Sequence, residues 1–166
     1  MARVILTTIL LLVICLPAAN AGDCQEEHLY STGKIMEIDR CASSWLIKRF
    51  IDPEARFAFY DDGSIITCGT AFDTPDARFT RTHDRATFEV LMEHYKVETP
   101  HLKILARAVH EAEISFWAHS QQGQLADELS RQVKAIIKAN ADPVKCLEAC
   151  FEYFDHMLEQ LEKQKR

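Results

Sequence analysis

Apolar and polar positions alternate in several distinct rhythms along this chain. Val4 to Leu16 is apolar apart from Thr7 and Thr8, and Gly22 to Thr32 is polar, which reads as a flexible amino arm. Lys34 to Ile38 alternates and predicts a short strand. Asp39 can cap a helix that runs to about Ile51, with Trp45, Leu46, Arg49 and Phe50 at helical spacing. Asp52-Pro53 ends it, because a residue before proline resists helical dihedrals. Arg56 to Tyr60 alternates and is aromatic, so a second strand is expected there. Asp61-Asp62-Gly63 is a turn signal, and Ile65 to Cys68 is a candidate third strand. Gly69 to Arg85 shows no period. A loop of that length in a compact domain usually has a function, and Phe72 and Phe79 argue that it is pinned down.

Four helical patterns follow. Ala86 to Tyr95 puts Phe88, Leu91, Met92 and Tyr95 on one face. Pro100 opens the next, with Leu102, Leu105, Val109 and Ala112 as its stripe. Leu125 to Lys138 carries Leu129, Val133, Ile136 and Ile137. Asp142-Pro143 starts the last in the preferred order of cap and first-turn proline. Its stripe is Leu147, Cys150, Phe151, Phe154, Leu158 and Leu161. The expected class is α+β, predominantly α-helical: a helical bundle packed with a small amino-terminal β-sheet. Trp45 reads as a core anchor, and Trp117 and His119 as packing and surface residues.

The first apolar run acquires a meaning from its surroundings. Arg3 precedes it, Pro17 breaks it, and Ala19-Asn20-Ala21 offers small residues where a signal peptidase reads. The run is well short of the roughly 20 residues that span a bilayer. Residues 1–21 are therefore expected to be a cleavable secretory signal peptide. The product would be periplasmic or secreted, with an arm over 22–32 and a single domain over 33–163. No later segment is long and apolar enough to insert into a membrane.

Charge and cysteine usage narrow the partners. The chain has a net charge of -6, and cleavage would remove one more basic residue, Arg3. An acidic exported domain is a poor candidate for nucleic acid or an anionic membrane. Past the signal stand Cys24, Cys41, Cys68, Cys146 and Cys150. An oxidising compartment permits disulfides among them, but an odd number leaves at least one thiol free, ligated or paired between chains.

Two segments resemble a known family. Asp39-Arg40, with the run Trp45-Leu46-Ile47-Lys48-Arg49-Phe50-Ile51-Asp52-Pro53-Glu54-Ala55-Arg56-Phe57, is similar to the opening motif of the chromate-resistance ChrB carboxy-terminal domain family. Phe72-Asp73-Thr74-Pro75, then Phe79, His83 and Thr87-Phe88-Glu89, resembles its middle motif. His110 and Glu113 fall where that family tends to place a histidine followed by an acid. Ser44 stands where proline is common, and Cys41 lies outside the pattern. The resemblance implies a role in metal or oxyanion stress and leaves the reaction open.

Three constellations could carry chemistry. The sharpest is a metal site of His83, Glu89, His110 and Glu113. His110 and Glu113 are neighbours on one helix surface, and bundles present ligands in this way. Such a nitrogen and oxygen set would suit a divalent ion, zinc, manganese or iron, either in a binding module or beside an activated water. The second is an oxyanion site. Arg78, Arg81, His83 and Arg85 crowd one loop, and Arg40, Lys48 and Arg49 lie near the start of the first helix. Arg40, Arg49, Arg81 and Arg85 are its core candidates. The third is a thiol set. Cys41, near a helix start, could have a lowered pKa and act as reductant or metal ligand. Cys146 and Cys150, one turn apart, suit shared ligation better than a disulfide within a straight helix, but Cys150 lies on the apolar stripe, and the plainer reading of these cysteines is buried thiols or one long-range bridge.

Overall fold

The computed structural model describes residue 24, residues 26–113 and residues 123–164. The signal segment, Trp117 and His119 lie outside the described residues. The elements run β1 (Leu29–Gly33), α1 (Ile38–Leu46), β2 (Arg56–Tyr60), β3 (Thr70–Ala71), α2 (Thr87–Tyr95), α3 (Pro100–Glu113), α4 (Gln124–Ala139) and α5 (Pro143–Gln164). This is the expected α+β class, mostly helical. No helix among the described residues is long and apolar enough to cross a membrane.

The sheet corrects the sequence reading at its centre. Its order is β2-β1-β3, and both pairings are parallel. The middle strand is Leu29–Gly33, so most of it falls in the stretch expected to be a loose arm. Lys34 to Ile38, expected to be a strand, instead leads into α1. The physical reason is burial. Tyr30, Ser31 and Thr32 are all buried, and a parallel strand covered on both faces shows no alternation. Its polar side chains disguised it further, although Ser31 Oγ donates to the Cys68 carbonyl at 2.6 Å.

The third strand also shifts, from Ile65–Cys68 to Thr70–Ala71. Cys68 forms a disulfide with Cys24 and bridges its backbone as well. Closing a loop of this size contributes about 2–4 kcal/mol. Gly69, between Cys68 and β3, has φ +78, and a Cβ there would sit 2.7 Å from the Leu29 carbonyl oxygen. Only glycine fits that approach. The aperiodic segment beyond is held by its aromatics, as expected. Phe72 and Phe79 are buried. Phe72 N donates to Ser31 O at 2.9 Å, and Asp73 N donates to Phe79 O at 2.7 Å.

Helix α1 is the hub. All nine of its residues are buried, and it packs against α2, α3, α4 and α5. Trp45 stacks on Phe154 with ring centroids 5.4 Å apart, and its Nε1 donates to Asp155 at 2.8 Å. The chain then widens into one π-helical turn over Ile47–Ile51 and stops at Asp52, ahead of Pro53. The helical stripes largely pack inward: Leu91, Leu102, Leu105, Val109, Leu129, Val133 and Phe154 are fully buried. Tyr95 is the exception and stays exposed.

Candidate metal centre and the ionic seam beside it

The four expected metal ligands do not converge. The His83 side chain is 93% exposed and lies 3.6 Å from Asp84. Glu89 Oε2 lies 2.8 Å from His110 Nδ1, so this pair does meet across α2 and α3. The same Glu89 oxygen accepts from Ala86 N at 2.8 Å, closing the first turn of α2. Glu113 turns away to α1, where it accepts from the backbone N–H groups of Ile38 and Asp39 at 3.0 and 3.3 Å. The His-x-x-Glu spacing predicted a shared surface. A helix amino terminus with its own unsatisfied donors took the glutamate instead.

This exchange is part of a larger seam. Ala86, at the cap position of α2, has no side-chain acceptor. Asp39 reaches across from α1 and supplies one, accepting from Thr87 N at 2.6 Å and Phe88 N at 3.0 Å. Asp39 therefore lies within α1 and caps α2, whereas the sequence placed it as the cap of α1. Next to it, Arg40 is buried against Asp73. Its Nε is 3.1 Å from Asp73 Oδ2, and it donates to the carbonyls of Ile35 and Asp73. Gly33 makes room for it, since a Cβ there would come within 3.2 Å of the guanidinium. Thr87 Oγ1 donates to Asp73 Oδ1 at 2.8 Å. Arg81 closes the group, paired with Glu37 and lying 3.6 Å from Glu113 and 3.9 Å from Asp73.

Burial sets the electrostatics. Loss of water around Asp73, with the Asp39 charge beside it, pushes its carboxyl up to about 7 against the pull of Arg40 and Arg81. Burial raises Asp39 as well, against its two backbone donors. Glu113 is raised by burial and by Asp39, against Arg81.

The expected oxyanion set is likewise divided. Arg40 and Arg81 belong to the seam. Arg85 pairs with Glu93. Arg49 makes a forked pair with Asp155 at 2.8–3.2 Å and lies over the Phe151 ring. Lys48 donates to the Ala55 carbonyl at 2.9 Å, and Arg78 covers Phe79. Each of the four core arginines already has a carboxylate partner, so no shared anion cradle forms among them.

The thiols do converge. Cys41 of α1 meets Cys146 and Cys150 of α5, and the three sulfur atoms lie within 4.8 Å of one another. All three are free and fully buried. The one-turn spacing on α5 sets two sulfurs side by side, and the α1–α5 packing delivers the third. The expectation of a lowered pKa at Cys41 is reversed. Hydrogen bonding with Cys146 and Cys150, then burial, pushes Cys41 up. The Cys41 hydrogen bond instead brings Cys146 down to about 7. Among the described residues, these thiols and the disulfide pair with Glu26 are the groupings with metal-ligand spacing. The i, i+4 cysteines carried this signal in the sequence. The sequence offered Cys41 as a ligand or reductant on its own helix, and only the α1–α5 packing joins it to the other two.

A curated relative, Protein ChrB of Cupriavidus metallidurans (strain ATCC 43123 / DSM 2839 / NBRC 102507 / CH34), is 35% identical over 89 residues, which cover 51% of this chain and 27% of that protein. The chain thus spans about a quarter of the relative it matches. No solved structure matches. The sequence model described as ChrB, C-terminal domain, matches residues 30–161, from the central strand to the last helix. The seam of Asp39, Arg40, Asp73, Thr87 and Glu113 joins segments that lie within that match, and the chain belongs to the ChrB C-terminal domain family.

Proposed function

We propose that this chain is an exported metal-ion-binding domain that serves resistance to chromate or related metal-oxyanion stress, with Cys41, Cys146 and Cys150 as the ligands. The observation that carries the reading is the convergence of three buried sulfurs within 4.8 Å. Thiolates favour soft and borderline ions. Of the divalent ions compatible with the chain, zinc suits this set best, iron less and manganese least. Full burial favours binding over hydrolysis, because a metal-activated water needs an open coordination position.

Export rests on the amino-terminal pattern and is supported by the Cys24–Cys68 bridge, which suits an oxidising compartment. That compartment also gives the thiol site a reason for an ion. An ion held by all three sulfurs would keep them reduced there whenever the site opens. The partner in this reading is a small inorganic ion.

The test is elemental analysis of the mature protein purified without chelator, followed by cadmium titration read by thiolate-to-metal absorption in the ultraviolet. One ion per chain is expected, with the absorption lost in Cys146→Ser and Cys150→Ser proteins that retain their helical circular dichroism. A wild-type protein that takes up no thiophilic ion of any kind would overturn the reading.

A further inference from the structure

Resting on that reading, we infer that the ion best matched to the Cys41, Cys146 and Cys150 site is trivalent and thiophilic, of the arsenite or antimonite class. The first argument is ligand count. The grouping holds three sulfurs and no fourth histidine, carboxylate or cysteine among the described residues, and tetrahedral zinc sites normally take four ligands. Burial gives water no ready path to the vacant fourth position. A trivalent metalloid needs only three sulfurs, because its lone pair occupies the remaining direction.

The second argument is charge. All three cysteines belong to the apolar core. Three thiolates around a divalent ion leave a net negative charge there, which is costly unless it is paired. The basic side chains that α1 and its π-turn could offer are committed elsewhere: Arg40 to Asp73, Lys48 to the Ala55 carbonyl and Arg49 to Asp155. Three thiolates around a trivalent ion are neutral. The delivered species is also neutral, since arsenous acid is uncharged. The exchange is balanced: one As(OH)3 and three cysteine thiols give one As(S-Cys)3 and three waters. Three As–O and three S–H bonds break, three As–S bonds and three O–H bonds of water form, and no change of oxidation state occurs.

The experiment titrates the metal-free mature protein with sodium arsenite and, in parallel, with zinc chloride. It is run in a Cys24→Ser/Cys68→Ser background, so that reductant cannot release competing thiols. Native mass spectrometry counts bound ions, and X-ray absorption counts the sulfur neighbours of arsenic. One arsenic per chain with three sulfur neighbours, displacing zinc, is expected. Cys41→Ala and Cys41→Ser proteins with unchanged circular dichroism should bind arsenite at least about tenfold more weakly, a loss of about 1.4 kcal/mol. Zinc bound through sulfur with no arsenite uptake would overturn this inference and leave the proposed function standing. Arsenite uptake that survives both Cys41 substitutions would also overturn it. Uptake of neither ion, with no cadmium bound either, would overturn both.

Discussion

Helix α1 has two chemically opposite sides. Asp39 and Arg40 face a seam of charge, whereas Cys41 faces a cluster of thiols on α5. Asp39 and Cys41 are two positions apart, roughly 200° around a helix. In the seam every acid and base is matched to a partner of another kind: a guanidinium, a hydroxyl or the amino end of a helix. In the thiol cluster the sulfurs have one another. A site whose charges are paired with one another holds a fold together. A site whose groups share one unmet coordination demand can hold an ion. The comparison therefore separates Asp39 and Arg40, which tie α1 to α2 and to the loop of Asp73, from Cys41, which brings together a candidate centre.

The sharpest way to break this comparison is to remove one partner from the seam. Arg40→Ala strands Asp73 in the interior, and a loss of about 3–5 kcal/mol is expected in urea unfolding. A loss below about 1 kcal/mol would show that the seam is not structural. A smaller effect is expected from pH. Asp39, Asp73 and Glu113 all hold their protons to higher pH when folded than when unfolded. The folded chain thus binds more protons, and stability falls as pH rises from about 4 through about 7 for Asp73. Asp73→Asn should reduce the slope, since asparagine keeps the shape and tolerates the positive φ of this position. An unchanged slope would assign the titration to other groups.

Cys41→Ala sharpens the contrast from the other side. It should cost only about 1 kcal/mol of stability while abolishing cadmium absorption. A large stability loss with retained metal would reverse the assignment of the two regions. The smallest effect is expected at His110. His110→Ala breaks a partly exposed pair with Glu89 worth at most about 1 kcal/mol and should leave metal content unchanged. Loss of bound metal in that variant would return the centre to the histidine and carboxylate set.

Much of the fold could be read from the chain because helices announce themselves locally. The stripes of α2 to α5 and the Asp52-Pro53 stop follow from spacing and backbone sterics. The central strand could not be read this way, since burial on both faces erased its alternation. The site divided similarly. Cys146 and Cys150 are one turn apart on any helix, so their pairing was visible. Ala86, a cap position without an acceptor, was the available hint that Asp39 would serve α2 from a distance.

The sequence by itself determined the helical elements, the α5 thiol pair and the family motifs, because each depends on residues a few positions apart. Only the tertiary structure decided what those residues face. It assigned Glu113 and Asp39 to the amino ends of other helices, where unsatisfied N–H groups drew buried carboxylates. It separated His83 from His110, and it carried Cys41 to the two thiols of α5. Such long-range choices depend on which surfaces α1 buries, and that is settled by the packing of the whole domain.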